Sequence, residues 1–221
     1  MPLDQNRPIT YLITSGETTL NTTSNSNEFS RILRLIQAAV EAEISLIQIR
    51  EKRLTARVLY ELVVRCAELT RGSRTRLLVN DRVDIALTAP ADGVHLTSES
   101  MRAEIVRQLG PRDFLIGVST HSLTEARAAR EEGADFVLFG PMFETESKRA
   151  FGPPQGLEKL REVTRELISF PVIAIGGVSV DNSIECFRAG ASGVAAIRLF
   201  SDAATLAETV TAIRESYDLK Q

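Results

Sequence analysis

The sequence predicts a (β/α)8 barrel, the TIM-barrel fold, in which eight parallel strands alternate with eight helices. Short apolar runs alternate along the chain with amphipathic stretches, a pattern typical of parallel strands with helical crossovers. Polar residues repeatedly follow the apolar runs, where the strands of a barrel present functional groups. The 221 residues are 43% hydrophobic and 25% charged, which suits one barrel. Because no linker divides the chain, we expect residues 1–221 to form a single domain.

The strands are predicted from runs that are mostly apolar throughout, as expected when both faces of a strand are buried. Eight such runs occur, at 10–14, 44–50, 76–80, 93–96, 114–119, 136–140, 172–175 and 193–197.

The helices are predicted from apolar residues at helical spacing. The clearest stretches are 29–40, 58–69, 122–132, 155–167, 179–189 and 203–216. Thr55, Ser122 and Ser179 are candidate N-caps, and Gly133 and Gly190 lie where helices should end.

Charge and composition exclude several classes of partner. The net charge is −3 and no basic block occurs, which argues against nucleic acid and anionic membranes. No apolar run approaches the roughly 20 residues of a membrane span, so we expect a cytoplasmic protein without membrane segments. Cys66 and Cys186 fall in helical stretches and are interpreted as buried reduced thiols. The sequence leaves open whether the chain forms a homo-oligomer.

Two predicted connections are longer than simple turns. Residues 15–27 are rich in Ser, Thr and Asn, and this composition favours a disordered insertion over an ordered functional loop. Residues 141–154 carry Lys148 and Arg149 beside hydroxyl groups, which favours a loop that covers a substrate.

Glycines and cations near the last two strands indicate a phosphate site. Gly176-Gly177 closes the seventh candidate strand, and Ile197-Arg198 ends the eighth. In many barrels these loops bind phosphate through backbone N–H groups. Arg198 could add a bidentate contact, although a surface ion pair would explain a lone arginine nearly as well.

A pair of cations after the second strand indicates a diphosphate site. Arg50 and Lys52 are two residues apart, so in an extended segment both point to the same side. Two cations on one side suit a diphosphate, which carries more charge than one cation can balance. The alternative is a solvated rim in which they pair with Glu51 and neighbouring acids.

Three further polar positions are candidates for chemistry. Asn80-Asp81 ends the third strand and could ligate Mg²⁺, or Asp81 could merely cap a short helix. His121, just past the fifth strand, could be a general acid or base. His95 lies within a strand and is interpreted as a hydrogen-bonded core residue.

Five motifs, taken in order, resemble those of the thiamine phosphate synthases. They are Gln48-Ile49-Arg50-Glu51-Lys52, Asn80-Asp81, Gly117-Val118-Ser119-Thr120-His121, Gly140-Pro141 with Thr145-Glu146-Ser147-Lys148, and Ile175-Gly176-Gly177-Val178. They recur in altered form in the related thiazole tautomerases. The resemblance spans about Tyr11 to Phe200. It implies a (β/α)8 barrel that joins hydroxymethylpyrimidine diphosphate to thiazole phosphate and releases diphosphate.

The resemblance also implies a role for each matching position. The pyrimidine diphosphate would contact Gln48, Arg50, Lys52, Asn80 and Ser119. Asp81 would ligate Mg²⁺. The thiazole phosphate would contact Thr145, Ser147, Gly176, Gly177, Ile197 and Arg198. Lys148 would contact the departing diphosphate.

The sequence departs from the synthase pattern in three places. Ser100 stands where synthases usually have a second aspartate ligand for Mg²⁺, with Glu99 one residue away. The segment 144–148 is closer to the tautomerase form. Arg198 replaces a small serine.

Three functions therefore stay open at this stage. A synthase would release diphosphate with Mg²⁺, using Arg50, Lys52 and Lys148. A tautomerase would transfer protons with His121 and would not need Lys52 or Asp81. A non-catalytic protein would only bind thiamine precursors. The intact diphosphate residues favour the synthase.

Overall fold

The computed structural model describes residues 3, 7–144 and 154–220 of the chain. Its strands are β1 (Ile9–Ile13), β2 (Leu46–Ile49), β3 (Arg76–Asn80), β4 (Gly93–Leu96), β5 (Leu115–Thr120), β6 (Phe136–Phe139), β7 (Val172–Ile175) and β8 (Gly193–Ala196). Its helices are α1 (Asn27–Glu41), α2 (Ala56–Thr70), α3 (Val83–Thr88), α4 (Ala103–Leu109), α5 (Leu123–Glu131), α6 (Gly156–Glu166), α7 (Val180–Arg188) and α8 (Leu206–Asp218).

The strands form a closed parallel barrel in sequence order, which confirms the predicted fold class. Each strand pairs with the next, and β1 pairs with β8 to close the sheet. All eight candidate strands are present, with ends shifted by at most two residues from the sequence-based bounds. Since the strands are parallel, their carboxyl ends meet on one face of the barrel.

Side chains alternate between the inside of the barrel and the layer under the helices. Along β1, Tyr11 lies in the inner cluster of apolar residues and Leu12 in the outer one. The inner cluster comprises Ile9, Tyr11, Ile13, Leu46, Leu78, Leu115, Phe136, Leu138, Ile173 and Ala195. The polar residues Gln48, Asn80, His95 and Ser119 lie at strand positions of the same inward parity. The inner face therefore becomes polar towards the carboxyl ends.

The predicted N-caps fix where three helices begin. The side chains of Thr55, Ser122 and Ser179 each accept a hydrogen bond from the backbone three residues on. Ser179 forms a complete capping box with Asn182 at the start of α7. These caps place the loops that precede α2, α5 and α7 at the same face as the strand ends.

The two cysteines behave as predicted from their helical positions. Cys66 on α2 and Cys186 on α7 are free and fully buried. Burial raises the pKa of the Cys186 thiol to about 12, so it stays protonated and acts as a small apolar side chain. In the described part of the chain, no helix is both long and apolar enough to cross a membrane.

Candidate active site at the carboxyl face of the barrel

The predicted diphosphate residues lie together at the carboxyl ends of β2 and β3. Arg50 directly follows β2 and is half-buried, whereas Lys52 is exposed. Within residues 7–144 and 154–220, neither cation forms an ion pair or donates a side-chain hydrogen bond. The pairing with Glu51 that the alternative requires is therefore not found in this part of the chain. Two cations without counter-charges at a strand end are suited to an anionic ligand.

Glu51 has a different role, which the sequence did not reveal. Its carboxylate is only 3% exposed and points to the loop after β1. There Oε1 accepts from the Gly16 N–H at 3.2 Å, and Oε2 accepts from the Thr18 N–H at 3.3 Å and from Thr18 Oγ1 at 2.7 Å.

The loop after β1 is therefore ordered, and the prediction of a disordered insertion is wrong. Thr18 and Thr22 are buried, and Thr22 Oγ1 accepts from the Thr19 N–H at 3.0 Å. A cavity of about 370 Å³ lies between this loop, α1 and the loop after β8. Glu51 is the residue that orders this loop. It lies 33 residues from Thr18 in the chain, so the local composition does not indicate the contact.

We expect Glu51→Gln to lower the free energy of unfolding by about 1–3 kcal/mol. The amide has one acceptor oxygen instead of two, and its NH₂ group would face the N–H donors of Gly16 or Thr18. Urea denaturation measures the change. Glu61→Gln is a suitable control, because Glu61 forms only an exposed ion pair with Arg57 and should lose no more than about 0.5 kcal/mol. Equal losses in both variants would contradict the anchoring role of Glu51.

Asp81 has an unusual backbone conformation beside Asn80. Its φ of +63° lies in the left-handed region, which only Asn, Asp and Gly adopt readily. The Asp81 N–H donates to the carbonyl of His95 at 2.9 Å, which ties this residue to β4. Arg82, not Asp81, is the N-cap residue of α3, and no side chain caps that helix. The interpretation of Asp81 as a helix cap is therefore wrong.

Asp81 is an exposed carboxylate of the kind that Mg²⁺ takes as a ligand, and the position after β4 where a second carboxylate was sought carries Ser100. The Asp81 side chain is exposed and has no ion pair among the described residues. Ser100 Oγ instead accepts from the Thr97 N–H at 2.8 Å within its own turn, and Glu99 is exposed. No cluster of three or more His, Cys, Asp or Glu side chains with metal-site geometry occurs in the described residues. One carboxylate suffices where substrate phosphates and water complete the shell of Mg²⁺.

Two inward side chains make hydrogen bonds deep in the barrel. Gln48 is 2% exposed and donates from Nε2 to the Tyr11 hydroxyl at 2.9 Å. Ser119 on β5 is half-buried, and its Oγ lies 2.9 Å from His95 Nε2. His95 is therefore a hydrogen-bonded core residue, as predicted. Its contact with Ser119 joins two residues that the sequence placed separately.

His121 lies at the rim of the same face. Its Nδ1 is 2.6 Å from the carbonyl oxygen of Gly140, and its backbone N–H donates to Glu125 at 2.7 Å. The Gly140 carbonyl can only accept, so Nδ1 carries the hydrogen in this contact. The other ring nitrogen, Nε2, has no hydrogen bond to the described residues. A proton-transfer role would have to use Nε2.

Gly176 and Gly177 let two loops approach each other closely. Their φ angles are +95° and +71°, and added Cβ atoms would lie 2.6 Å from the Pro141 side chain and 2.7 Å from that of Phe143. The Phe143 N–H also donates to the carbonyl of Gly176 at 2.9 Å. This contact alone requires glycine, so the pair is not specific evidence for a phosphate.

The remaining predicted residues lie around the end of β8 and in the loop after β6. Ile197 follows β8 and is half-buried against the inner cluster. Arg198 is exposed and has no ion-pair partner among the described residues, so the predicted surface ion pair is not found there. Thr145, Ser147 and Lys148 lie outside the described residues.

Comparison with known proteins identifies the family. A family model described as thiamine monophosphate synthase matches residues 11–200. A putative thiamine-phosphate synthase of Geobacter sulfurreducens is 47% identical over 166 residues, covering 75% of this chain and 78% of that protein. The thiamine-phosphate synthase of Moorella thermoacetica is 40% identical over 183 residues, covering 83% and 87% respectively.

Solved structures agree with this result. Thiamine phosphate pyrophosphorylase from Pyrococcus furiosus has a TM-score of 0.77 and 31% identity, covering 97% of both chains. A 3-hexulose-6-phosphate synthase has a TM-score of 0.62 and 17% identity, covering 93% of this chain and 98% of the other, and shows the fold alone. The chain belongs to the thiamine monophosphate synthase family.

Proposed function

We propose that this protein joins hydroxymethylpyrimidine diphosphate to thiazole phosphate, forming thiamine phosphate and releasing diphosphate. The observation that supports it most is the position of Arg50 and Lys52. Both cations lack counter-charges in the described structure and follow β2, beside the Asn80-Asp81 end of β3. A diphosphate bound with Mg²⁺ would contact both cations directly and Asp81 through the metal ion.

The proposed reaction begins with cleavage of the bond between the pyrimidine methylene carbon and the diphosphate oxygen. The bonding electrons stay on the diphosphate, and Arg50 and Lys52 stabilise that charge as it develops. The lone pair of the thiazole nitrogen then forms the new C–N bond with the methylene carbon. No proton is transferred to or from either partner, so no general base is required.

The donor set around the diphosphate residues is suited to a Mg²⁺ ion bound together with the substrate. Asp81 would hold the ion by its exposed carboxylate, with diphosphate oxygens and water as the other ligands. Bound there, the ion would supply positive charge to the leaving diphosphate. Asn80 is 8% exposed, and its side chain makes no hydrogen bond in the described structure, which leaves its amide for a substrate oxygen.

The thiazole phosphate would bind on the opposite side of the barrel mouth. Gly176, Gly177 and the backbone near Ile197 follow β7 and β8, where barrels commonly bind phosphate. Arg198 would add a cation there. By resemblance to the family, Thr145 and Ser147 would contact the same phosphate, and Lys148 the departing diphosphate.

A thiazole tautomerase with His121 as acid or base is not favoured. The curated relatives given above are named thiamine-phosphate synthases. A tautomerase substrate carries a monophosphate, which leaves Arg50, Lys52 and Asp81 without a use. A protein that only binds thiamine precursors is the remaining alternative, and turnover separates it from the synthase.

The test is to incubate the purified protein with both phosphorylated substrates, with and without Mg²⁺, and to quantify thiamine phosphate and diphosphate. We expect equimolar products that require Mg²⁺ and that survive His121→Ala. Absence of product with both substrates and Mg²⁺ would overturn the proposal. Assay of the thiazole carboxylate tautomers would then distinguish an isomerase from a binding protein.

A further inference from the structure

The ring of His95 is enclosed by apolar groups at the centre of the barrel. It lies on β4, is 1% exposed, and has ring-centroid distances of 5.8 Å to Tyr11 and 6.0 Å to Phe136. No carboxylate of the described residues contacts the ring, and burial lowers its pKa to about 3. The imidazole is therefore neutral, with one N–H donor and one bare nitrogen acceptor.

The two ring nitrogens have different surroundings. Nε2 lies 2.9 Å from Ser119 Oγ. Nδ1 is buried and has no hydrogen-bond partner in the described structure. The backbone of Gly117 closes this side of the ring, because a Cβ added there would lie 2.7 Å from Nδ1 and 2.3 Å from the Phe136 ring.

These surroundings distinguish the two neutral tautomers. If Nδ1 carried the hydrogen, a buried N–H donor would point at apolar groups without any acceptor. If Nε2 carries it, the N–H meets Ser119 Oγ, and only a bare nitrogen lone pair stays unpaired at Nδ1. Among buried backbone groups, N–H donors without partners are rarer than under-satisfied acceptors, and we apply the same preference to the ring. The second arrangement therefore has the lower free energy.

We infer that His95 is the Nε2–H tautomer and fixes the polarity of Ser119. The His95 N–H donates to Ser119 Oγ, so the hydroxyl hydrogen must point elsewhere. Ser119 Oγ makes no other hydrogen bond to the described residues, and the side chain is half-buried at the carboxyl end of β5. Ser119 thus presents a hydrogen-bond donor to the mouth of the barrel, and His95 is a positioning residue.

This polarity selects the atom that Ser119 recognises. The hydroxyl hydrogen is not engaged by His95 and can bind an atom with a free lone pair, while the second lone pair of Oγ stays available as an acceptor. Resting on the proposed function, the acceptor of the Ser119 hydrogen is a ring nitrogen of the pyrimidine, because the lone pair of the exocyclic amino group is delocalised into the ring. The assignment of the tautomer does not depend on that function.

The tautomer is tested on the wild-type protein by long-range ¹H–¹⁵N correlation NMR of the histidine rings. The chain has only two histidines, so His121→Ala assigns the signals. We expect His95 to show a protonated Nε2 and an unprotonated Nδ1. A protonated Nδ1, or a doubly protonated ring at neutral pH, would overturn the inference.

The action of His95 through Ser119 is tested by a double-mutant cycle. We expect His95→Leu to lower kcat/KM for the pyrimidine diphosphate about tenfold, with little change in KM for the thiazole phosphate. His95→Gln keeps an N–H donor and should restore most of this loss. In the Ser119→Ala background, His95→Leu should have no further effect.

The two failures can be told apart. Equal losses from His95→Leu in both backgrounds would show a merely structural role, and this outcome would overturn the positioning role even if the tautomer were correct. If the protein made no thiamine phosphate, the NMR result would still decide the polarity of Ser119.

A pyrimidine analogue with the ring nitrogens replaced by C–H should bind wild type and Ser119→Ala equally. Preferential binding of that analogue by wild type would overturn the ring-nitrogen assignment.

Discussion

Lys52→Ala should reduce kcat for thiamine phosphate formation by about 10²- to 10³-fold. Lys52 is exposed at the end of β2 and has no counter-charge among the described residues. Its charge is therefore available to the diphosphate, and it matters most when the C–O bond breaks and negative charge collects on the leaving group. The loss should appear in kcat more than in KM for the pyrimidine diphosphate.

Arg50 offers a second variant with a different signature. Arg50→Lys retains the charge but loses the planar fork that can contact two phosphate oxygens at once. We expect a smaller loss in kcat than for Lys52→Ala. Steady-state kinetics with each substrate varied in turn gives both parameters. Arg74→Ala is the control for the loss of charge in Lys52→Ala, because Arg74 is an exposed cation in the loop before β3, at the opposite face of the barrel.

The pattern of parameters decides between catalysis and anchoring. If Lys52→Ala raised only KM and left kcat unchanged, the cation would bind substrate without stabilising the transition state. If Arg74→Ala caused a comparable loss, the effect would come from net charge and not from position. Either result would contradict the role proposed for the end of β2.

The architecture could be predicted from the sequence because its signals are local. Each signal is contained in a short stretch of sequence. This holds for the apolar runs of the strands, the caps at Thr55 and Ser179, and the polar residues after each strand. Parallel strands then bring the polar ends to one face without further information. This is why Arg50 and Asp81 could be assigned to the same mouth of the barrel from the chain alone.

The errors arose where the deciding contact is distant in sequence. The prediction of disorder for residues 15–27 rested on their composition. The N–H donors of Gly16 and Thr18 have no acceptor nearby in the chain. Their acceptor is Glu51, which follows β2. In the sequence, Glu51 lies between Arg50 and Lys52, which suggests a surface ion pair. Only the pairing of β1 with β2 shows that Glu51 contacts the loop after β1.

The polar centre of the barrel was predicted in parts and not as a unit. His95 is predicted as a core residue and Ser119 as a contact of the pyrimidine, but the contact between them depends on the pairing of β4 with β5. The glycines at 176 and 177 indicate an anion site, which stays a prediction, and the structure adds their close contact with Pro141 and Phe143. In both cases the residue type was informative, and its partner required the three-dimensional structure.

Asp81→Asn should lower activity at a fixed, subsaturating Mg²⁺ concentration by about 10²-fold. The substitution isolates the carboxylate charge, because asparagine tolerates the left-handed backbone, with φ of +63°, that Asp81 adopts. Alanine would add backbone strain at the same position. Asp113→Asn serves as the control, since Asp113 is exposed in the loop before β5 and carries no ion pair in the described structure.

Metal binding can be measured without turnover. Titration of Mn²⁺ with the protein and inorganic diphosphate, followed by electron paramagnetic resonance, should show binding to wild type that Asp81→Asn weakens at least about tenfold. Unchanged Mn²⁺ binding in Asp81→Asn would contradict the metal-ligand role, whatever happens to activity.

Ser100→Asp provides the opposite change in the turn after β4, the strand beside β3. Ser100 Oγ accepts from the Thr97 N–H, and an aspartate oxygen can accept the same bond, so the turn should be retained. The second carboxylate oxygen would then be available near the mouth, and we expect half-maximal activity at a lower Mg²⁺ concentration. Asp81→Asn should raise the Mg²⁺ concentration needed for half-maximal activity. If Ser100→Asp left that concentration unchanged, the metal would be held only by the residue after β3. One carboxylate with the substrate diphosphate would then be sufficient in this protein.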